Sequence, residues 1–352
     1  MAKFGKLTIG IISRNGQPFL KDCLQSFSSA LTPLLKHFSS IDFILVDSDS
    51  SDNTLEVMLN FSQEYRSDAI NSDVYLIQGY CNAAVARNVI LRECTGDVIF
   101  LCDGDIVINY NFLILAAKKI IGGQADAVVG QLSEKWYDSE FKIYKSIPVR
   151  KKITQEKFVR IAGGIIVLSK KVAQSDIKYD ENLKIKEDGD FSLRVSNYFN
   201  ILAIPVFVGT HITQPCYSNE RFKTFFKENY NKSLGILLRK HIYSFRNSID
   251  IIKAEKGVML GFIYILLFLF SSILCLREMC IPLLLTVCIF LADFFRHLTK
   301  SHLRSFIMYR FVSPFMVIHG FFSKKKGDRQ YSIKKIDKLT TLSGDHRSSF
   351  IT

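Results

Sequence analysis

Apolar positions recur in two rhythms over the first 130 residues. Lys6–Ile12, Asp42–Val46, Val74–Ile77 and Asp97–Leu101 are short apolar runs that read as strands. Between them, Pro18–Leu35 carries Phe19, Leu20, Leu24, Phe27 and Leu31 at helical spacing, and Leu55–Tyr65 and Asn82–Glu93 read as helices too. Strands that alternate with helices build a parallel sheet, so an α/β domain is predicted. The polar residues after the second and fourth strands then fall at the carboxyl edge of the sheet, where open α/β folds bind ligands. From Gly130 to Ile212 the pattern changes to shorter strands and one acidic turn, with no internal repeat or low-complexity linker.

The C-terminal part has a different pattern. Arg221 to Lys240 is amphipathic, with Phe222, Phe225, Phe226, Tyr230, Leu234, Leu237 and Leu238 among Arg221, Lys223, Lys227 and Lys232. Paired aromatics beside basic residues favour a helix in a headgroup layer over one packed on the domain. Gly257 to Leu276 is uncharged over 20 positions, the length that spans a hydrocarbon core, and a second uncharged run, Met279 to Ala292, contains Pro282. A helical hairpin is expected, its second arm spanning, tilted, interfacial or re-entrant; the competing reading is a buried core helix. The boundaries read as a catalytic domain over 1–215, interfacial helices over 216–256, the hairpin over 257–296 and a basic amphipathic tail over 297–352.

Charge sharpens this division. Residues 1–200 carry 24 Lys+Arg against 24 Asp+Glu, whereas residues 201–352 carry 22 against 9, which is the whole net charge of +13. Because long apolar runs lie between the basic residues, anionic lipid rather than nucleic acid is the expected partner. Lys253 and Lys256 precede the hairpin, and Arg296, Lys300 and Arg304 follow it, which places both flanks in the cytoplasm. Leu7–Ile12 is too short for a secretory signal. The eight cysteines show no CxxC or metal-like spacing, consistent with a reduced compartment.

Two turns carry candidate chemistry. The second strand runs into Asp47-Ser48-Asp49-Ser50-Ser51-Asp52-Asn53-Thr54, where a carboxylate can accept from a nucleobase or ribose and Ser51 or Asp52 can cap the next helix. The fourth runs through Cys102 into Asp103-Gly104-Asp105, two hard oxygen donors that suit Mg²⁺ or Mn²⁺ and leave positions open for a diphosphate.

These residues together resemble the family 2 glycosyltransferases over roughly residues 7–215. The resemblance rests on Ser13-Arg14-Asn15, on Leu20 to Ser26, on Val46 to Thr54, and on Ala86-Arg87-Asn88. It continues through Gly96-Asp97, Asp103-Gly104-Asp105, Gly163-Gly164, Tyr179-Asp180-Glu181, and Glu187-Asp188-Gly189-Asp190 with Arg194. It implies a GT-A, Rossmann-like nucleotide-diphospho-sugar transferase fold, followed here by a helical membrane-associated region. It further implies that Ser13, Asn15, Asp47, Asp49, Arg87 and Asp103 bind the nucleotide sugar, that Asp103 and Asp105 hold Mn²⁺ or Mg²⁺, and that Asp188 is the catalytic base with Glu187 in support. His211, after the strand-like Ile204 to Val208, is a candidate third metal ligand or an ordinary surface or core histidine.

Two positions depart from the family pattern. Arg14 replaces an aromatic, and its guanidinium plane can also stack on a base. Asp49 takes a glycine position, where aspartate tolerates the left-handed backbone better than most residues. The Gln-x-x-Arg-Trp motif of processive synthases is missing, and the lone tryptophan is Trp136; Trp136, Tyr137 and Tyr144 are either acceptor-groove residues or packing.

The expected activity is inverting transfer from a nucleotide diphosphate sugar to a hydroxyl of a lipid-linked glycan, in surface polysaccharide or lipopolysaccharide assembly. Its expected place is the cytoplasmic side of a bacterial inner membrane. Two alternatives stay open: transfer to a polyprenyl phosphate, which needs no base, and a silent nucleotide-sugar-binding membrane protein.

Overall fold

The computed structural model describes residues 3–214, 218, 223, 231–277, 279–300, 303–323 and 330–337. Two compact units emerge, residues 1–213 with 326–352, and residues 214–325. The first unit opens with β1 (Leu7–Ser13), α1 (Leu20–His37), β2 (Ile41–Asp47), α2 (Thr54–Glu64), β3 (Ile70–Gly79), α3 (Ala83–Glu93) and β4 (Val98–Asp103). Strands β1, β2, β3 and β4 are parallel, as the apolar rhythm predicts, because each helix returns the chain to the same edge. Ser13 pairs in register with Asp47, and Ile12 with Asp103, so the carboxyl ends of three strands are level.

The chain continues through β5 (Ile106–Ile108), α4 (Tyr110–Ile121), β6 (Ala127–Tyr137), β7 (Ile143–Ile147), β8 (Lys157–Val159), β9 (Ile166–Ser169), α5 (Lys170–Ala173), α6 (Glu187–Val195) and β10 (Ile201–Thr213). The expected acidic turn at Glu187 is therefore the first turn of a helix, where carboxylates face the positive end of the dipole. His211 lies inside β10, not after it. Side chains on one face of the sheet, among them Phe27, Phe43, Phe100 and Phe112, form one apolar core. Val89, Ile90, Ile99 and Phe191 belong to the core of the other.

The second unit holds α7 (Lys232–His241), α8 (Phe245–Ala254), α9 (Lys256–Cys275), α10 (Ile281–Lys300), α11 (Leu303–Ile307), a π-helical turn at Met308–Val312, and α12 (Ser313–Phe322). Helices α9 and α10 form the predicted hairpin, and α10 runs past the uncharged stretch to Lys300. By length and composition α9 can cross a membrane, alone among the described residues. Arg310 in the π-helical turn donates to Asp293 at 3.0 Å and to the Gly257 carbonyl at 2.6 Å, which ties that turn to both arms of the hairpin. Glycines let α7 and α12 touch: a Cβ on Gly235 would meet the Val317 carbonyl at 2.0 Å, and one on Gly320 the Lys232 carbonyl at 2.0 Å. The amphipathic reading over 221–240 falls partly outside the described residues, as does the basic tail read over 297–352.

Two expectations are overturned. The chain after the helices is not all tail, because β11 (Tyr331–Ile336) pairs antiparallel with β3 and extends the catalytic sheet. The sheet order is β11-β3-β2-β1-β4-β9-β6-β10-β5, with β7 on β6 and β8 on β10. Strand β3 is accordingly longer than its apolar core suggests, since pairing on both sides satisfies its backbone. The cysteines are not all unpaired either. The tight turn between α9 and α10 brings Cys275 and Cys280 together as a disulfide, with Cα atoms 4.3 Å apart.

Candidate active site

A cleft of ≈ 1040 Å³ opens at the carboxyl edge of the sheet. One end is built by the turns after β1 and β2, which are stitched together. Asn15 Oδ1 accepts from the Ser51 N–H at 2.8 Å, and the Asn15 N–H donates to Ser50 Oγ at 2.9 Å. Both Asn15 and Asp49 sit in the left-handed region, with φ of 50° and 58°, so the aspartate at the glycine position does adopt that backbone. Ser13, Arg14, Asn15 and Ser48 line the cleft. Asp47 and Asp49 are not among its lining residues. Asp47 is 1% exposed, and its carboxylate accepts from the Ser50 hydroxyl and N–H. Burial raises its pKa, and the bonds from Ser50 partly offset that. It thus shapes this turn from within.

The centre is organised by Arg87 on α3. Its guanidinium donates to Asp103 at 2.7 Å and to Glu187 at 2.6 Å, so one buried cation bridges β4 and α6. Burial opposes its charge, but Asp103, Tyr179, Glu187 and Asp188 outweigh that and push its pKa above the usual arginine range. A Cβ on Gly164 would meet the Arg87 guanidinium at 2.2 Å, which accounts for glycine in the Gly163-Gly164 pair. Burial pushes Glu187 up to about 7, although Arg87 pulls the other way. Asp188 is half-buried on the cleft wall, where its Oδ1 accepts from the Gly189 N–H at 2.7 Å. Asp190, read with the acidic motif, faces away: it is fully buried and paired with Arg194 at 2.6 Å.

Asp105 and His211 meet because β5 pairs with β10, in a register that sets His211 against Ile106. His211 Nε2 lies 3.0 Å from Asp105 Oδ2. Asp105 Oδ1 and His211 Nδ1 are buried without a hydrogen-bond partner, so donor capacity remains unspent here. Carboxylate oxygen and imidazole nitrogen both suit Mn²⁺, and carboxylate suits Mg²⁺, so the residues present fit the divalent ion that the resemblance implies. Among the described residues no third His, Cys, Asp or Glu closes the set, and Asp103 turns one oxygen to Arg87. Further positions would fall to a diphosphate and water.

The opposite wall is the part that sequence signals largely miss. Tyr137 lines it, whereas Trp136 and Tyr144 do not. Phe19 packs on Tyr137 with ring centroids 4.6 Å apart, and Tyr137 stacks on Phe141 at 5.7 Å, making an aromatic ledge. Arg150, Lys151, Lys152 and Lys157 also line the cleft. Their charge is visible in sequence, but the pairing of β7 with β6 and of β8 with β10 that holds their segment at the cleft is not.

Residues 8–169 match the sequence model of Glycosyl transferase family 2. A glycosyltransferase of Streptococcus pneumoniae, GlyA, is 26% identical over 126 residues, 36% of this chain and 16% of that protein, so the match spans a small part of its length. The mannosyltransferase PcManGT of Pyrobaculum calidifontis, solved with GDP-Man and Mn²⁺, has a TM-score of 0.56 at 12% identity over 88% of this chain and 86% of its own. TarS residues 1–349 of S. aureus, solved with UDP-GlcNAc, has a TM-score of 0.47 at 15% identity over 74% and 80%. The sheet is the mixed α/β, Rossmann-like sheet of the GT-A fold.

Proposed function

We propose that this chain is an inverting, metal-dependent glycosyltransferase that moves a sugar from a nucleotide diphosphate donor to a hydroxyl of a lipid-linked glycan, at the cytoplasmic face of a bacterial membrane. The observation that carries the reading is the convergence of Asp188, Glu187 and the Asp103-Gly104-Asp105 turn on one cleft, bridged by Arg87. Ser13, Asn15 and Ser48 bind the nucleoside end. A divalent ion at Asp105 and His211 would neutralise the charge that develops on the leaving diphosphate. Asp188 takes the proton of the attacking hydroxyl while the new C–O bond forms at the anomeric carbon. The bond to the diphosphate breaks on the opposite side, with its electron pair leaving on the nucleotide. Arg87 and Glu187 fix the approach of α6 to β4, so that the base and the donor turn keep their spacing. Mn²⁺ beside GDP-Man in the fold neighbour from Pyrobaculum calidifontis supports the choice of metal and donor class.

The apolar hairpin supports the membrane and the lipid-linked acceptor. Outward-facing Leu266, Phe270, Ile273, Ile281 and Leu284 are exposed within the unit and need an apolar environment. Incubating the detergent-solubilised full chain with a panel of nucleotide sugars, an acceptor extract and Mn²⁺ tests the reading through released nucleoside diphosphate. Asp188→Asn should lower transfer by about 10² to 10⁴ while donor binding persists. Release with no donor, or near-normal transfer by that variant, would remove the assignment.

A further inference from the structure

We propose that Lys151, Lys152 and Lys157 form a phosphate site for the acceptor, so that the glycan accepting the sugar is itself phosphorylated away from its reacting hydroxyl. This rests on the glycosyltransferase reading and names its acceptor class. Residues 142–157 contain six Lys or Arg and one acid, Glu156, although the first 200 residues as a whole balance at 24 against 24. Half of those cations are accounted for. Lys142 pairs with Glu140 at 2.8 Å, Lys145 lies 4.8 Å from the centre of the Trp136 ring, and Arg150 pairs with Glu134 at 3.2 Å. The lone acid, Glu156, is taken by Lys119 at 2.9 Å. That leaves Lys151, Lys152 and Lys157, exposed and lining the cleft, with no ion pair among the described residues.

Three of the cleft's four acids already have cationic or imidazole partners, and the fourth, Asp188, accepts from the Gly189 N–H. Arg87 answers Asp103 and Glu187, and His211 lies against Asp105. Nor is the segment loose. The Arg150 N–H donates to the Leu132 carbonyl at 2.8 Å, the Ile153 N–H donates to Gln131 Oε1 at 2.9 Å, and Lys157 pairs in register with Ala203 of β10. Three ammonium groups are thus held at a cleft whose wall also carries the ledge of Phe19, Tyr137 and Phe141. Aromatic faces suit a sugar ring, and fixed ammonium groups suit phosphate. The donor's diphosphate is the other source of such chemistry. Arg14 and Lys184 also line the cleft, so the donor nucleotides are titrated as separate ligands.

The sole tryptophan supplies the measurement. Trp136 donates to Glu134 at 2.9 Å, and Glu134 pairs with Arg150, so its fluorescence reports on the neighbouring lysines without any transfer reaction. The detergent-solubilised full chain is titrated with glucose 6-phosphate, glucose, UDP and GDP. Glucose 6-phosphate should bind at least tenfold more tightly than glucose. The triple variant Lys151→Gln, Lys152→Gln, Lys157→Gln should erase that preference while its affinity for UDP or GDP stays within about twofold. The Arg triple at the same positions should keep the preference, which separates charge from folding. No preference in the wild type overturns the proposal, and so does an equal loss of UDP or GDP affinity, which would assign the lysines to the donor. Binding and turnover fail separately: a chain that binds glucose 6-phosphate but releases no nucleoside diphosphate loses the transfer reading, and an active chain without the preference loses only the phosphate site.

Discussion

The phenol of Tyr331 donates to both carboxylate oxygens of Glu181, at 3.1 and 3.0 Å, joining residues 150 positions apart. Glu181 also accepts from Asn88 at 2.9 Å, and its carbonyl from Asn82 at 2.9 Å. Asn82 and Asn88 belong to the cap and body of α3, which carries Arg87. The strand after the helical unit is therefore wired to the loop that leads into Glu187 and Asp188. Tyr331→Phe should lower stability by about 1.5 to 3 kcal/mol, the net worth of a hydrogen bond to a charged group. Thermal unfolding checks the stability, and kcat should fall with little change in donor KM.

Arg87 should be intolerant even of lysine. One ammonium cannot span Asp103 and Glu187 as the planar fork does. Leaving a buried charge unpaired costs about 3 kcal/mol or more. Denaturant unfolding of Arg87→Lys should show a lower midpoint, and transfer should fall together with stability.

Glu187 gives a pH signature. Its pKa rises from the ordinary 4.5 to about 7 in the fold, mainly through burial. Between those values the folded chain keeps a proton that the unfolded chain has released, so this contribution to stability is full below about 4.5 and lost as pH rises through about 7. The slope from this one group is at most about 1.4 kcal/mol per pH unit. Glu187→Gln should flatten the difference, read as unfolding free energy against pH; an identical slope in both proteins would mean that Glu187 stays ionised throughout.

Metal removal should stop turnover. Excess EDTA should abolish release of nucleoside diphosphate, and Mn²⁺ or Mg²⁺ should restore it. His211→Ala should raise the Mn²⁺ concentration needed for half-maximal rate by about tenfold or more, since the partner it loses is Asp105. Full turnover in EDTA would make the Asp105–His211 pair structural.

Association with membranes should survive salt. Polybasic attraction is screened within about 10 Å at 0.1 M, whereas a spanning apolar segment is not. Helix α9, Lys256–Cys275, should therefore hold the chain in the pellet through a high-salt wash, and detergent should release it. Release by salt alone would make the hairpin a peripheral element.

Much of the first unit is legible in the sequence because its signals are local. Continuous apolar runs end in Asp47 and Asp103, and level strand ends follow from parallel pairing. What escapes is non-local. Strand β11, Tyr-Ser-Ile-Lys-Lys-Ile, has weak alternation and sits in basic sequence, and its partner β3 lies more than 250 positions earlier. The inward pairing of Asp190 with Arg194 is hidden by its place in an acidic motif. Phe141 joins the aromatic ledge only because the turn before β7 places it at φ 61°.

Strands β10 and β11 bracket the helical unit in sequence; β11 is an edge strand, and β10 lies one strand in from the far end of the sheet. Seven inter-strand steps separate them, roughly 34 Å at about 4.8 Å per step. Genetically the helices are an insert rather than an appendage. A stop codon after Lys240 would delete an edge strand along with the hairpin and confound loss of anchoring with loss of Tyr331. A soluble version calls instead for excision, with a flexible bridge from Thr213 to Gln330 long enough to cross most of the sheet's width.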